Sequence, residues 1–154
     1  MFDDAYIGAG TPPQNLTGAP LTLSLLKSSG QVHDGGAGLN WGQPSRTVRG
    51  TRTGNEAYIH VPIWVQRSAF FPPSPEQFVV STDDAKCFIF RREGANGKNL
   101  TTPQNNSLLG QYFRARLGVR SGEFIETQHI WDYGRTDVSF YRNDDGTYFM
   151  DFSI

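Results

Sequence analysis

TDVSFYRNDDGTYFMDFS, Thr136 to Ser153, decides the fold class. Two runs of alternating apolar and polar residues flank Asn143–Asp144–Asp145–Gly146, a strong signal for a β-hairpin. In the second run Tyr148, Met150 and Phe152 fall on one face, because side chains alternate along a strand. FVVS and KCFIF repeat the arrangement around TDDA, which places Asp83 and Asp84 at a second hairpin tip. The chain is therefore mainly β.

Further segments join this framework. LTLSLL (21–26) is a short apolar strand or the start of a helix. AYIHVPIWVQ (57–66) alternates and is rich in aromatic and β-branched residues, so it is expected as a strand. Pro62 denies it one ladder bond and puts it at an edge or bulge. FFPPSPEQ is a proline-stiffened connection, and FIETQHIW (124–131) is a further expected strand. SLLGQYFRARLG (107–118) carries Leu108, Leu109, Tyr112, Phe113 and Leu117 at helical spacing. Ser107 is the expected N-cap there and Gly118 the stop. Six or seven strands and one clear helix fit a small barrel or pseudobarrel. Phe88, Phe90, Tyr112, Phe113, Val138, Phe140, Tyr148 and Phe152 are the expected core.

The 154 residues are enough for one domain with a real core. Residues 8–20 belong to a loop or linker, so the division is a tail over 1–20 and a domain over 21–154. No 18-residue apolar run suits a membrane span, and the acidic start lacks the features of a secretory signal. The lone Cys87 cannot form an internal disulfide, which fits a reducing cytoplasm.

Net charge is −1, but its distribution is uneven. Arg46 to Arg120 holds eleven basic residues against five acidic ones, a balance of +6, and the remainder of the chain stands at −7. A basic middle between acidic ends points to a surface that meets a polyanion, with chance asymmetry on a solvated surface as the plain alternative.

Two long polar loops fall in that middle. GLNWGQPSRTVRGTRTGNE offers Asn40, Gln43, Arg46, Arg49, Arg52 and Asn55. The second loop offers Lys98, Asn99, Thr101, Thr102, Gln104, Asn105 and Asn106. Arginine forks onto guanine, Asn and Gln pair with adenine, and Lys and Thr hold phosphates. Polar loops are also simply solvated, yet two basic, amide-rich loops in a β domain favour nucleic acid.

Catalytic patterns are weak. His33, His60 and His129 have no partner at metal-ligand spacing and suit surface or packed positions. Cys87 sits inside an apolar strand, and no phosphate-binding glycine loop is present. Asp83, Asp84 and Lys86 spell the acid–x–lysine pattern of metal-dependent nucleases, but on a turn that needs aspartate for its own backbone. A nuclease built on these three, or a carbohydrate-binding β module, remains the alternative to DNA recognition.

GLNWGQ, NEAYIHVP, FVVSTDDAKCF, GKNLTTPQNN, LLGQYFRARLGV, YGR, DVSFY and DGTYFMDFS, in that order, resemble the C-terminal domain of NgoFVII-type restriction endonucleases. The resemblance runs from about Leu21 to the C-terminus. It implies an open seven-stranded pseudobarrel with one or two short helices, similar to the plant B-three-type DNA-binding fold. It implies sequence-specific binding of double-stranded DNA through two arms in the major groove, an N-arm at about 38–56 and a C-arm at about 95–107. A phospholipase D-like nuclease domain precedes this domain in that family, but no histidine here has Lys two residues on. The chain is thus expected to be the recognition part of a bacterial, cytoplasmic restriction–modification enzyme. It is expected to be monomeric when isolated, without catalytic residues, metal or cofactor. Trp41 is expected to pack at the root of the N-arm. Arg92, Arg114 and Arg116 are expected as a second tier lining the DNA backbone.

Overall fold

In the computed structural model, described for residues 6–8, 16–45, 47 and 54–154, the chain forms a sheet of eight strands. The strands are β1 (Tyr6–Gly8), β2 (Leu16–Ser24), β3 (Ile59–His60), β4 (Gln77–Thr82), β5 (Cys87–Glu93), β6 (Asn99–Thr101), β7 (Asp137–Asn143) and β8 (Tyr148–Asp151). Seven of them follow one path, β2-β7-β8-β4-β5-β6-β3, and β1 pairs with β5 outside it. β2 and β3, the two ends of the path, come back together, so the sheet curls into a nearly closed barrel. All pairs on the path are antiparallel except β4 with β8.

Both expected hairpins form. In β7–β8, Gly146 takes φ +87°, and the Asn143 N–H donates to the Thr147 carbonyl at 2.8 Å. In β4–β5, the Thr82 N–H donates to the Lys86 carbonyl at 2.9 Å, and Ala85 occupies the left-handed position at φ +64°. Every expected core residue is buried. Phe71, from the proline-stiffened connection, fills the barrel as well. Its ring meets Phe140 edge-on at 5.1 Å and lies 5.5 Å from Tyr148. Full burial of one such ring contributes about 1.5–3 kcal/mol.

Three expectations need correction. β2 begins at Leu16, inside the stretch expected as linker, and Gly18 at φ +75° accompanies a register shift between Thr17 and Leu21. AYIHVPIWVQ is a strand only at Ile59–His60. Pro62, with no N–H for the ladder, instead leads into a one-turn helix, α1 (Ile63–Gln66). FIETQHIW does not form a strand: its latter part lies in helix α3 (Thr127–Tyr133). There the Glu126 side chain accepts the His129 N–H, while the Glu126 N–H donates to His129 Nδ1 at 2.8 Å. This reciprocal cap satisfies free helix donors and outweighs a short alternating pattern.

The expected helix is α2 (Ser107–Leu117), closed by Gly118 at φ +73°. Its N-cap is Asn106 rather than Ser107, and Asn105 Oδ1 accepts the Ser107 N–H at 3.0 Å.

Candidate nucleic-acid interface

The second polar loop meets both ends of one strand, and the first loop enters that strand at one of them. β3 runs antiparallel to β6, with Ile59 opposite Leu100 and His60 opposite Asn99. Before β3, the Ala57 N–H donates to the Asn106 carbonyl at 3.2 Å. After it, the Val61 N–H donates to the Lys98 carbonyl at 2.7 Å. Residues 94–98 therefore project at one end of β3 and residues 102–106 at the other, beside the root of the first loop.

That first loop stands on a stem. The Gly42 N–H donates to the Glu56 carbonyl at 2.9 Å, Gly54 to Gly42 at 3.2 Å, and Tyr58 to Gly38 at 3.1 Å. Trp41 meets Tyr58 edge-on at 5.5 Å, a packing role as expected. Amide side chains fasten the stem to the segment after α2. Buried Asn40 donates to the carbonyls of His33 and Ile125 and accepts the Ile125 N–H, all at 2.8–2.9 Å. Buried Gln43 donates to Gly54 at 3.0 Å and Gly122 at 2.9 Å. Asn55 donates to Ser121 Oγ at 2.9 Å and accepts the Gly122 N–H at 2.7 Å. These three candidates thus have internal partners. Arg46, Arg49 and Arg52 lie outside the described residues.

The second loop is built around Arg92. Its buried guanidinium donates from Nε to the Gly97 carbonyl at 3.0 Å, and from Nη2 to Asn96 at 3.0 Å and Gln66 at 3.1 Å. Gly94, Asn96 and Gly97 all take positive φ, and a Cβ on Gly97 would stand 2.7 Å from Arg92 Nε. Lys98 is exposed at the edge of this turn and Asn99 is half-buried. Thr101 and Thr102 are buried, and Thr102 Oγ1 donates to the Asn105 carbonyl at 2.8 Å. Gln104 is exposed, Asn105 accepts the Ser107 N–H at the start of α2, and half-buried Asn106 has a buried Oδ1 without a partner among the described residues.

Arg114 and Arg116, expected along the DNA backbone, sit inside the domain. Arg114 is fully buried and donates from Nε to the Glu123 carbonyl at 2.9 Å and from Nη1 to Gly110 at 3.2 Å. Burial pushes its pKa down to about 10, against the pull of Glu56 and Glu123. Their bonds give Arg92, Arg114 and Arg116 an internal occupation, the shaping of the loops and the barrel end.

A cleft also opens beside β3 that the loop composition did not reveal. Ser24, Leu26, Lys27, Ser28, His33, His60 and Pro62 line it. Lys27 lies in a turn whose chemistry looks like ordinary punctuation. His60 is exposed on β3, opposite Asn99 and next to Lys98. Only the pairing of β3 with β6, a tertiary fact, brings these groups to one face.

Residues 16–144 match the NgoFVII C-terminal B3-like DNA-binding domain family. The chain belongs to that family. Membership in a family of DNA-binding domains supports DNA recognition, with double-stranded DNA as partner, and points to a recognition domain rather than a catalytic one. Among curated proteins none matches the chain.

In this B3-like domain the acid–x–lysine run is absorbed by structure. Asp83 accepts two bonds from Arg116, at 2.8 and 3.2 Å, and one from the Phe152 N–H at 2.8 Å. Asp84 accepts from Thr82 Oγ1 at 2.5 Å and from Tyr112 at 2.9 Å. No group of three or more His, Cys, Asp or Glu suited to a metal occurs among the described residues. Arg116 also donates to the Tyr133 hydroxyl at 2.8 Å and to the Phe152 carbonyl at 3.0 Å. Burial opposes its charge, but the Asp83 hydrogen bond, Tyr112 and the two carboxylates prevail and raise its pKa. Asp83→Ala should therefore destabilise the fold by about 3 kcal/mol, the effect of breaking the shorter ion pair of a largely buried arginine and removing the acceptor of the Phe152 N–H. Urea unfolding measures it, and a loss below about 0.5 kcal/mol would show the pair to be only a surface contact.

Proposed function

We propose that this chain is a sequence-specific reader of double-stranded DNA that holds the major groove between two loop arms, about 38–56 and 95–107. Its role is to direct a separate phospholipase D-like nuclease domain of a bacterial, cytoplasmic restriction–modification enzyme. The isolated domain acts as a monomer and binds without metal or cofactor. One observation carries this proposal: the second loop is bonded to both ends of the short strand β3, through Ala57–Asn106 and Val61–Lys98, and the first loop enters β3 at the Asn106 end. A rigid floor with the first loop's root and residues 102–106 at one end and the 94–98 turn at the other suits a duplex lying across it.

Roles of the described arm residues follow from burial and bonding, and those of Arg46, Arg49 and Arg52 from their charge. Arg46, Arg49 and Arg52 divide between guanine and phosphate contacts, Lys98 holds phosphate, and Gln104 reads a base edge. Asn40, Gln43 and Asn55 set the N-arm stem, and Arg92 sets the C-arm turn. Asn105, Asn106, Thr101 and Thr102 fix the segment beside the stem, within reach of the same duplex.

Selection from randomised duplexes tests the proposal. Binding of the enriched and scrambled duplexes is then compared without metal at two salt concentrations. One enriched short site, bound far more tightly than the scrambled duplex, is the expected result. Equal, salt-sensitive binding to all duplexes would refute sequence reading. Cleavage that requires magnesium and disappears in Asp84→Ala would favour the nuclease alternative.

Lys98→Ala gives a sharper test. Loss of a phosphate contact should weaken all duplexes alike and flatten the slope of log K against log salt by about one. An unchanged slope would remove Lys98 from the interface.

A further inference from the structure

We propose that the cleft between the Lys27 turn and β3 seats a DNA phosphate, with His60 and His33 as its contacts, and that binding takes up protons there. The inference rests on the DNA-recognition function above and adds a site to it.

Geometry carries the proposal first. His33 and His60 come from segments 27 residues apart in the chain, yet both line one cleft with Lys27, Ser24 and Ser28. The His33 side chain packs against Gly38: a Cβ there would stand 2.5 Å from Nδ1 and 2.7 Å from Cγ. Its Nδ1 is buried and has no partner among the described residues. A proton on that nitrogen would be buried without an acceptor, which is costly. The neutral ring therefore carries its proton on Nε2, the edge left for the cleft, where it acts as a donor. His60 is exposed, one residue before the Val61 N–H that donates to the Lys98 carbonyl at 2.7 Å.

The charges around the rings are of one sign. Burial lowers the pKa of His33, and His60 and Lys27 lower it further. Burial and then Lys98 lower that of His60. Asp34, the neighbouring acid, has Oδ1 engaged by the Gly35 N–H at 2.8 Å. The free cleft is thus a line of cations and imidazoles kept neutral by each other and by burial. A phosphate reverses the local field: it pairs with Lys27 and Lys98 and favours the imidazolium form. The His60 pKa rises on binding while His33 stays a neutral Nε2–H donor, so the complex holds more protons than the separate partners. Linkage then requires affinity to grow as pH falls through the region just below the ordinary histidine value.

The test is duplex binding by fluorescence anisotropy from pH 8.0 to 5.5 at fixed ionic strength, for wild type, H60Q and H33Q. Calorimetry in two buffers of different ionisation enthalpy counts the protons taken up. The wild type should gain about tenfold in affinity from pH 7.5 to 5.5, since one proton taken up gives at most tenfold per pH unit. H60Q should lose most of the pH dependence and proton uptake. His60 is exposed, so H60Q tests the site even if H33Q disturbs the packing on Gly38. Binding with a flat profile, or an H60Q/H33Q double variant with the full wild-type profile, would overturn this inference alone. Failure to bind any duplex at any pH would overturn the recognition function with it.

Discussion

Gly110→Ala is expected to destabilise the domain by about 3 kcal/mol or more, although it places a better helix former inside a helix. On propensity alone alanine should stabilise α2 by about 0.8–1 kcal/mol. Here a Cβ at position 110 would stand 1.5 Å from the Asn55 carbonyl oxygen and 3.0 Å from Arg114 Nη1. The obstacle at 1.5 Å is backbone, which cannot rotate away as a side-chain tip can, so either α2 or the N-arm stem must shift. Such a shift pulls on the Asn55–Gly122 bond and on the Ala57–Asn106 bond, which together dock the stem. Overpacking commonly costs about 1–3 kcal/mol, and more where the neighbours cannot yield. Urea unfolding of Gly110→Ala beside Gln111→Ala, a half-exposed neighbour in the same helix, measures the effect. Gln111→Ala should stay within about 0.5 kcal/mol of wild type. If Gly110→Ala proves as stable as wild type or more so, the close contact between α2 and the stem does not exist.

This contact also marks how far the sequence could be read. The barrel was legible because Phe88, Phe90, Val138, Phe140, Tyr148 and Phe152 alternate with polar residues between clear turn signals, and all six are buried. FIETQHIW was not, because a seven-residue helix held by its own cap leaves little periodicity to recognise, and Glu126–His129 is an unusual capping pair. The two polar loops were legible as segments, but the jobs of their residues were not. Asn40 and Gln104 look alike in composition, yet one is buried behind three backbone bonds and the other is exposed. A stem with few ladder bonds needs side-chain amides to satisfy nearby backbone groups. Nothing in a loop's composition separates those amides from the ones that face a ligand. Arginine is ambiguous for the same reason: Arg92 and Arg114 satisfy carbonyls inside the protein, where five fixed donors are as useful as on a phosphate.

The second large effect concerns Arg46, Arg49 and Arg52, which lie outside the described residues. Replacing Arg46, Arg49 and Arg52 together by alanine should weaken binding of the selected duplex by about a hundredfold or more. One bidentate base contact is worth about 1–3 kcal/mol, and about 1.4 kcal/mol is a factor of ten. Even if two of the three only touch phosphate, the combined loss reaches that range at moderate salt. The described stem is held by bonds within 38–43, 54–58, 106 and 121–125. Thermal unfolding of the triple variant, measured beside binding, separates lost DNA contacts from a collapsed arm. Single variants divide the roles. Loss of a guanine reader should relax preference at one base pair and spare the rest of the site, while loss of a phosphate contact should weaken all duplexes and lower the salt slope by about one. Full affinity in the triple variant would leave the N-arm without its grip, since Asn40, Gln43 and Asn55 are occupied within the fold. The interface would then have to lie on Lys98, Gln104 and the cleft beside β3.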